Sequence, residues 1–144
     1  MNLVLILSFA AWLIAQIMKL LIDLVRTRKV DFSILTGSGG MPSSHSAVVC
    51  ACAASAGMAE GWHSVIFAVA VVIAFVVMYD AANVRKAAGE QAKILNYMMN
   101  HWTEMPPDLF GKQLRELLGH TPVQVIAGAV LGVAVGAFGY MIFG

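Results

Sequence analysis

Two histidines in this chain stand where helices are expected to begin, each beside groups suited to an anion. The first ends Thr36-Gly37-Ser38-Gly39-Gly40-Met41-Pro42-Ser43-Ser44-His45, a glycine loop running into a helix with proline in its first turn. Amides at a helix start, with the positive end of its dipole, bind phosphate, and glycine lets backbone approach an anion closely. Ser43 and Ser44 add hydroxyl donors. The second lies in Gly119-His120-Thr121-Pro122, where Gly119 closes the amphipathic segment 109–118 and Pro122 begins the last apolar run. One histidine at a helix cap is usually structural. Two at helix starts that face one interface weaken that bland reading and point to a shared anion site.

The elements that must position this pair are membrane helices. The chain has 144 residues, 60% hydrophobic and only 12% charged, with a mean hydropathy of +0.80. Soluble domains carry about 25% charged residues. A helix needs roughly 17 to 25 mainly apolar residues to cross the hydrocarbon core, and four runs qualify, at about 3–25, 43–59, 63–83 and 121–143. The second is short and opens on Ser43, Ser44, His45 and Ser46. Residues 84–100 continue the third helically, with Ala87, Ala88, Ala92, Leu95 and Met99 at three-and-four spacing beside Arg85, Lys86, Glu90 and Lys93. The expected fold is all-α: one membrane-embedded domain over 1–144, a polytopic bundle of about four transmembrane helices with an interfacial helical segment.

Charge placement gives an orientation. Lys19, Arg26, Arg28, Lys29, Arg85, Lys86, Lys93, Lys112 and Arg115 all fall on one side of the four runs, whereas the opposite turn, Ala59-Glu60-Gly61-Trp62, has no base. The positive-inside rule makes the charged side cytoplasmic and puts both termini outside, as in a bacterial inner or plasma membrane. A net charge of +1 excludes a nucleic-acid binder. The first run is not read as a secretory signal, since no base precedes it. Cys50 and Cys52, two apart on a helix, face different ways and make no metal clip.

Ionisable groups inside membrane helices are costly and point to function. Lys19 and Asp23 at the end of the first run, His45 at the start of the second, Asp80 at the end of the third and His120 at the start of the fourth share one membrane face. That convergence argues for a single site.

These residues resemble the acid-phosphatase superfamily, whose pattern is K-x6-R-P, then P-S-G-H, then S-R-x5-H-x3-D. Here stand Lys19-x6-Arg26, Pro42-Ser43-Ser44-His45 and His120-x3-Gln124. Gly39-Gly40-Met41-Pro42-Ser43-Ser44-His45-Ser46-Ala47, with Tyr79-Asp80-x4-Arg85-x3-Gly89-x-Gln91-Ala92-x2-Leu95-Asn96 and Gly119-His120-Thr121-Pro122, looks like its short branch, the divergent PAP2 family, over residues 19–132. The pattern is departed from in four places. No proline follows Arg26, Ser44 replaces a glycine, Leu114 stands where an arginine is expected, and Gln124 replaces the aspartate that orients the nucleophile. Arg115 or, preferably, Arg85 would then hold phosphate, and Asp80 or Glu90 would supply the missing charge.

The resemblance implies a metal-free, cofactor-free, two-step hydrolysis of a membrane lipid phosphate. His120 maps to the nucleophile and His45 to the general acid, with Asp80 as the supporting carboxylate. Lys19, Arg26, Gly40, Ser43, Ser44, Arg85 and Gln124 would bind the substrate. Phosphatidate, phosphatidylglycerophosphate and polyprenyl diphosphate are the candidate lipids. Two other classes stay open: a non-catalytic lipid-phosphate binding or transport component, and a structural subunit of a membrane complex. Gly128, Gly132 and Gly136, four apart, would let another helix approach closely, and a homodimer through that face is one arrangement this allows. His63 and His101 are read as structural or exposed.

Overall fold

The computed structural model describes residues 2–28, 40–101, 114 and 119–144. Helix α1 spans Leu3–Thr27, α2 Ser44–Glu60 and α3 Val65–Tyr79; a π-helical turn, Asp80–Val84, leads into α4, Arg85–His101, and α5 spans Pro122–Phe143. The described residues contain no strand. Most of the amphipathic segment expected over 109–118, and the loop glycines before Gly40, lie outside them.

Among the described residues, three helical runs are long and apolar enough to cross a membrane: Leu3–Thr27, Val65–His101 and Pro122–Phe143. The second of the four expected spans, α2, has 17 residues and is built largely of Ser, Ala, Cys and Gly. It lies in the middle of the bundle, against α1, α3 and α5. Ten of its residues are buried, among them Ser44, Ser46 and Ser55, whereas α3 buries only Ala74. The shorter, more polar helix is thus sheathed by protein while its apolar neighbours expose Val, Ile and Phe outward. Ser55 Oγ further satisfies itself by donating to Ala51 O at 2.6 Å.

Small residues set the packing. Gly128, Gly132 and Gly136 of α5 lie over the carbonyl groups of Ser43, Ala47 and Ala51 on α2, so close that a β-carbon at any of the three would overlap backbone. Both series climb by four in the same direction, so α2 and α5 run parallel with their N-termini side by side. Such contact favours Cα–H···O interactions between backbones. Within the chain, the helix that packs on this glycine face is its own α2. Antiparallel α1 completes the core, bringing Ala11 and Ala15 against Ala47 and Ala51 and Leu7 against Gly139.

The expected helical continuation past the third span is present. Residues Val65–His101 form one 37-residue run through the π turn, about 55 Å at 1.5 Å per residue. That exceeds a hydrocarbon core of about 30 Å, so one end must emerge from it. His101 closes α4 with Nδ1 2.8 Å from Tyr97 O, and His63 is exposed in the α2–α3 turn.

Candidate active site

The parallel pairing of α2 and α5 puts two helix N-termini together. Ser43 caps α2, its Oγ accepting the Ser46 N–H at 3.3 Å, and its own N–H donates to Gln124 O at 3.0 Å. Thr121 caps α5 in a reciprocal capping box: its Oγ1 accepts the Gln124 N–H at 3.4 Å, while Gln124 Oε1 accepts the Thr121 N–H at 3.0 Å. The positive ends of both helix dipoles therefore lie at one place.

His45 and His120 meet there, ring centroids 6.0 Å apart and planes inclined at 62°. His120 forms the buried floor, 2% exposed, and half-buried His45 the more accessible wall. Gly119 makes the turn into His120 with φ +95°, a conformation open to glycine and strained for other residues. The His120 N–H donates to Ala81 O at 2.9 Å, a carbonyl within the π turn. Turns of this kind interrupt the regular helical ladder and recur at functional sites.

The ring of His120 is oriented as well. Its Nδ1 lies 3.2 Å from Gln124 Oε1, the oxygen that also takes the Thr121 N–H. Because a backbone amide only donates, Gln124 must present oxygen at that point. His120 Nδ1 therefore donates to it, which in the neutral ring leaves the lone pair on Nε2.

Lys19 supplies a cation. It is 3% exposed, and its Nζ donates to Ser44 Oγ at 3.2 Å, linking α1 to the first turn of α2. Gly40 adopts φ +91°, and a β-carbon there would stand 3.5 Å from Lys19 Cδ. The loop backbone thus passes directly over the lysine stem.

The structure brings Lys19, Gly40, Ser43, Ser44, His45, His120 and Gln124 to one end of the bundle. Asp80 begins the π turn beside Ala81, and so adjoins the carbonyl that holds His120. Arg26 is in the last turn of α1 and exposed. Arg85 opens α4, with its side chain outside the described atoms, and Arg115 lies outside the described residues. Glu90 pairs with Lys93 at 3.1 Å on an exposed face of α4, so Asp80 is the better placed of the two carboxylates. Sequence reasoning missed Ala81, which acts through its backbone and leaves no side-chain signal. It also missed the role of Asn96, whose amide engages Leu114.

Residues 1–135 match the sequence pattern of the divergent PAP2 family. The chain belongs to that family. An uncharacterized membrane protein of Bacillus subtilis (strain 168), YuiD, is 39% identical over 142 residues, covering 92% of this chain and 90% of the relative. No solved structure matches the chain. Membership of the divergent PAP2 family agrees with the apolar helices of the bundle.

Proposed function

We propose that this chain is an integral membrane lipid-phosphate phosphatase that hydrolyses a phosphomonoester or diphosphate of the phosphatidate, phosphatidylglycerophosphate or polyprenyl diphosphate type, without a metal. One observation carries the reading: a histidine with its Nε2 lone pair set by Gln124 faces a second histidine across 6.0 Å, at two adjoining helix N-termini beside a buried lysine. In the first step His120 Nε2 attacks phosphorus while the bond from phosphorus to the lipid oxygen breaks. The His45 imidazolium protonates that oxygen as it leaves as the lipid alcohol, or as the lipid monophosphate from a diphosphate. In the second step neutral His45 takes a proton from water, whose oxygen attacks phosphorus. The P–N bond breaks, releasing phosphate and restoring neutral His120.

The spacing supports this division of labour. Attack and proton transfer each need about 3 Å between reacting atoms. A phosphoryl group lying to one side of the two rings meets both requirements. Lys19 and the amides at the start of α2 are suited to hold equatorial oxygens whose charge must be stabilised in the transition state. Arg26 and Arg85 are assigned to the same anion, and Asp80 to the charge that neutral Gln124 does not supply. The charge distribution supports a cytoplasmic site.

Gln124 also motivates a second reading, a lipid-phosphate binder without turnover, because an amide does not stabilise an imidazolium by charge. Phosphate release by purified protein from a panel of lipid phosphates, measured in chelator, separates the two. The phosphatase reading expects release that survives chelation and disappears in both His120→Ala and His45→Ala. Vanadate binding with no release from any lipid would replace it with the binder.

A further inference from the structure

The return of the chain to His120 is fastened at two points of one continuous helical run. At the π turn, Ala81 O accepts the His120 N–H at 2.9 Å. Further along the run, Asn96 engages Leu114: its Nδ2 donates to Leu114 O and its Oδ1 accepts the Leu114 N–H, both at 2.9 Å. A primary amide carries a donor and an acceptor side by side, which matches the N–H and C=O of a single residue. Asn96 is 3% exposed, whereas its sequence neighbours Leu95 and Tyr97 are 47% and 65% exposed. Its polar amide is thus turned inward while the apolar side chains on either side are not. Placing that group inside is unfavourable unless its hydrogen bonds are made.

We propose, resting on the phosphatase reading, that Asn96 is a positioning residue. By clamping Leu114 it sets where the chain re-enters the membrane face, and so where His120 stands relative to His45. Asn96 does not touch the reacting atoms. It acts through Leu114, six residues before His120, whose backbone N–H is held by Ala81 O and whose ring is held by Gln124 Oε1. Displacing a reacting group by about 1 Å can cost roughly 10²-fold in rate, so the clamp governs turnover more than affinity for the phosphate group.

The test compares wild type, Asn96→Ala, Asn96→Asp and, as a control, Asn100→Ala, an exposed position one turn further along α4. Each is purified in detergent and assayed for kcat and KM on the lipid phosphate that wild type hydrolyses. Amide hydrogen exchange is followed over residues 119–125 and over α2. Asn96→Ala is expected to lower kcat by roughly 10- to 100-fold, with KM within about threefold of wild type. It should also speed exchange at His120 and leave α2 unchanged. Asn96→Asp keeps the size and the acceptor for the Leu114 N–H but sets a carboxylate against Leu114 O, so it should show a smaller loss in the same direction. Asn100→Ala should match wild type.

Unchanged kcat, or unchanged exchange at His120, in either folded variant overturns the proposal. A parallel loss of exchange protection in α2 makes Asn96 a general stabiliser and overturns it too. If wild type releases no phosphate while Asn96→Ala still speeds His120 exchange selectively, the phosphatase reading fails and the positioning link stands. Should Asn96→Ala not fold, Asn96→Asp decides.

Discussion

His120 Nδ1 and Gln124 Oε1 lie 3.2 Å apart, and the same oxygen holds the Thr121 amide at 3.0 Å. One amide oxygen therefore ties the cap of α5 to the tautomer of the histidine that precedes it. Removing the hydrogen-bond partner that orients a metal-bound imidazole typically costs 10- to 100-fold. Gln124→Leu is expected to reduce phosphate release by about that factor and to lower the yield of acid-labile phosphoenzyme on rapid quench. Gln124→Glu keeps the acceptor and the capping box and should retain most activity. Equal activity in Gln124→Leu and wild type would separate the hydrogen bond from catalysis.

The glycine series predicts a stability effect with a functional shadow. Gly132 lies over Ala47 O, and a methyl group there would push α2 from α5. Overpacking of this kind costs about 1–3 kcal/mol. Gly132→Ala should lower the thermal midpoint in detergent and reduce activity, because the same contact sets the His45–His120 separation. Val130→Ala, on a 66% exposed side chain of the same helix, should change neither.

Much of this architecture was readable from residue types, and the gaps have physical reasons. Period and hydropathy mark α1, α3 and α5, and the helix start at Thr121 follows from capping chemistry, whereas Pro42, expected in the first turn of α2, lies before its cap Ser43. The alignment of Lys19, His45 and His120 at one face also followed from span placement. The central position of α2 did not, since a Ser- and Ala-rich helix reads the same whether it meets lipid weakly or is sheathed by neighbours. The partner of Gly128, Gly132 and Gly136 was equally hidden: a small-residue stripe shows that a helix can come close, not which one. Ala81 acts through a carbonyl that every residue possesses, and Asn96 through a contact eighteen residues away in sequence.

Lys19 gives a binding prediction. Its buried ammonium contacts Ser44 Oγ, and hydrogen bonds involving a charged group contribute about 1.5–3 kcal/mol. Lys19→Met should therefore weaken inhibition by vanadate roughly 10- to 100-fold, with the fold retained because methionine fills the same stem volume. Inhibition constants measured on the wild type and variant decide this. An unchanged constant would assign Lys19 to holding α1 against α2 rather than to the anion.

The division of roles between the two histidines leads to a leaving-group test. A general acid matters in proportion to the basicity of the oxygen it protonates, and positioned proton transfer contributes about 10²- to 10⁴-fold. A lipid alkoxide needs that proton; nitrophenolate is stable without it. His45→Ala should therefore lose two or more orders of magnitude on an alkyl phosphate yet far less on p-nitrophenyl phosphate. His120→Ala should be inactive on both, because no leaving group replaces the nucleophile. The contrast also bears on the second step. With His45 as the proposed base for water, the His45→Ala protein should accumulate phosphohistidine on the activated ester, detectable as acid-labile phosphoprotein after rapid quench. Equal losses on the two substrates in His45→Ala would remove the proton-donor role and leave His45 as a second ligand for the anion.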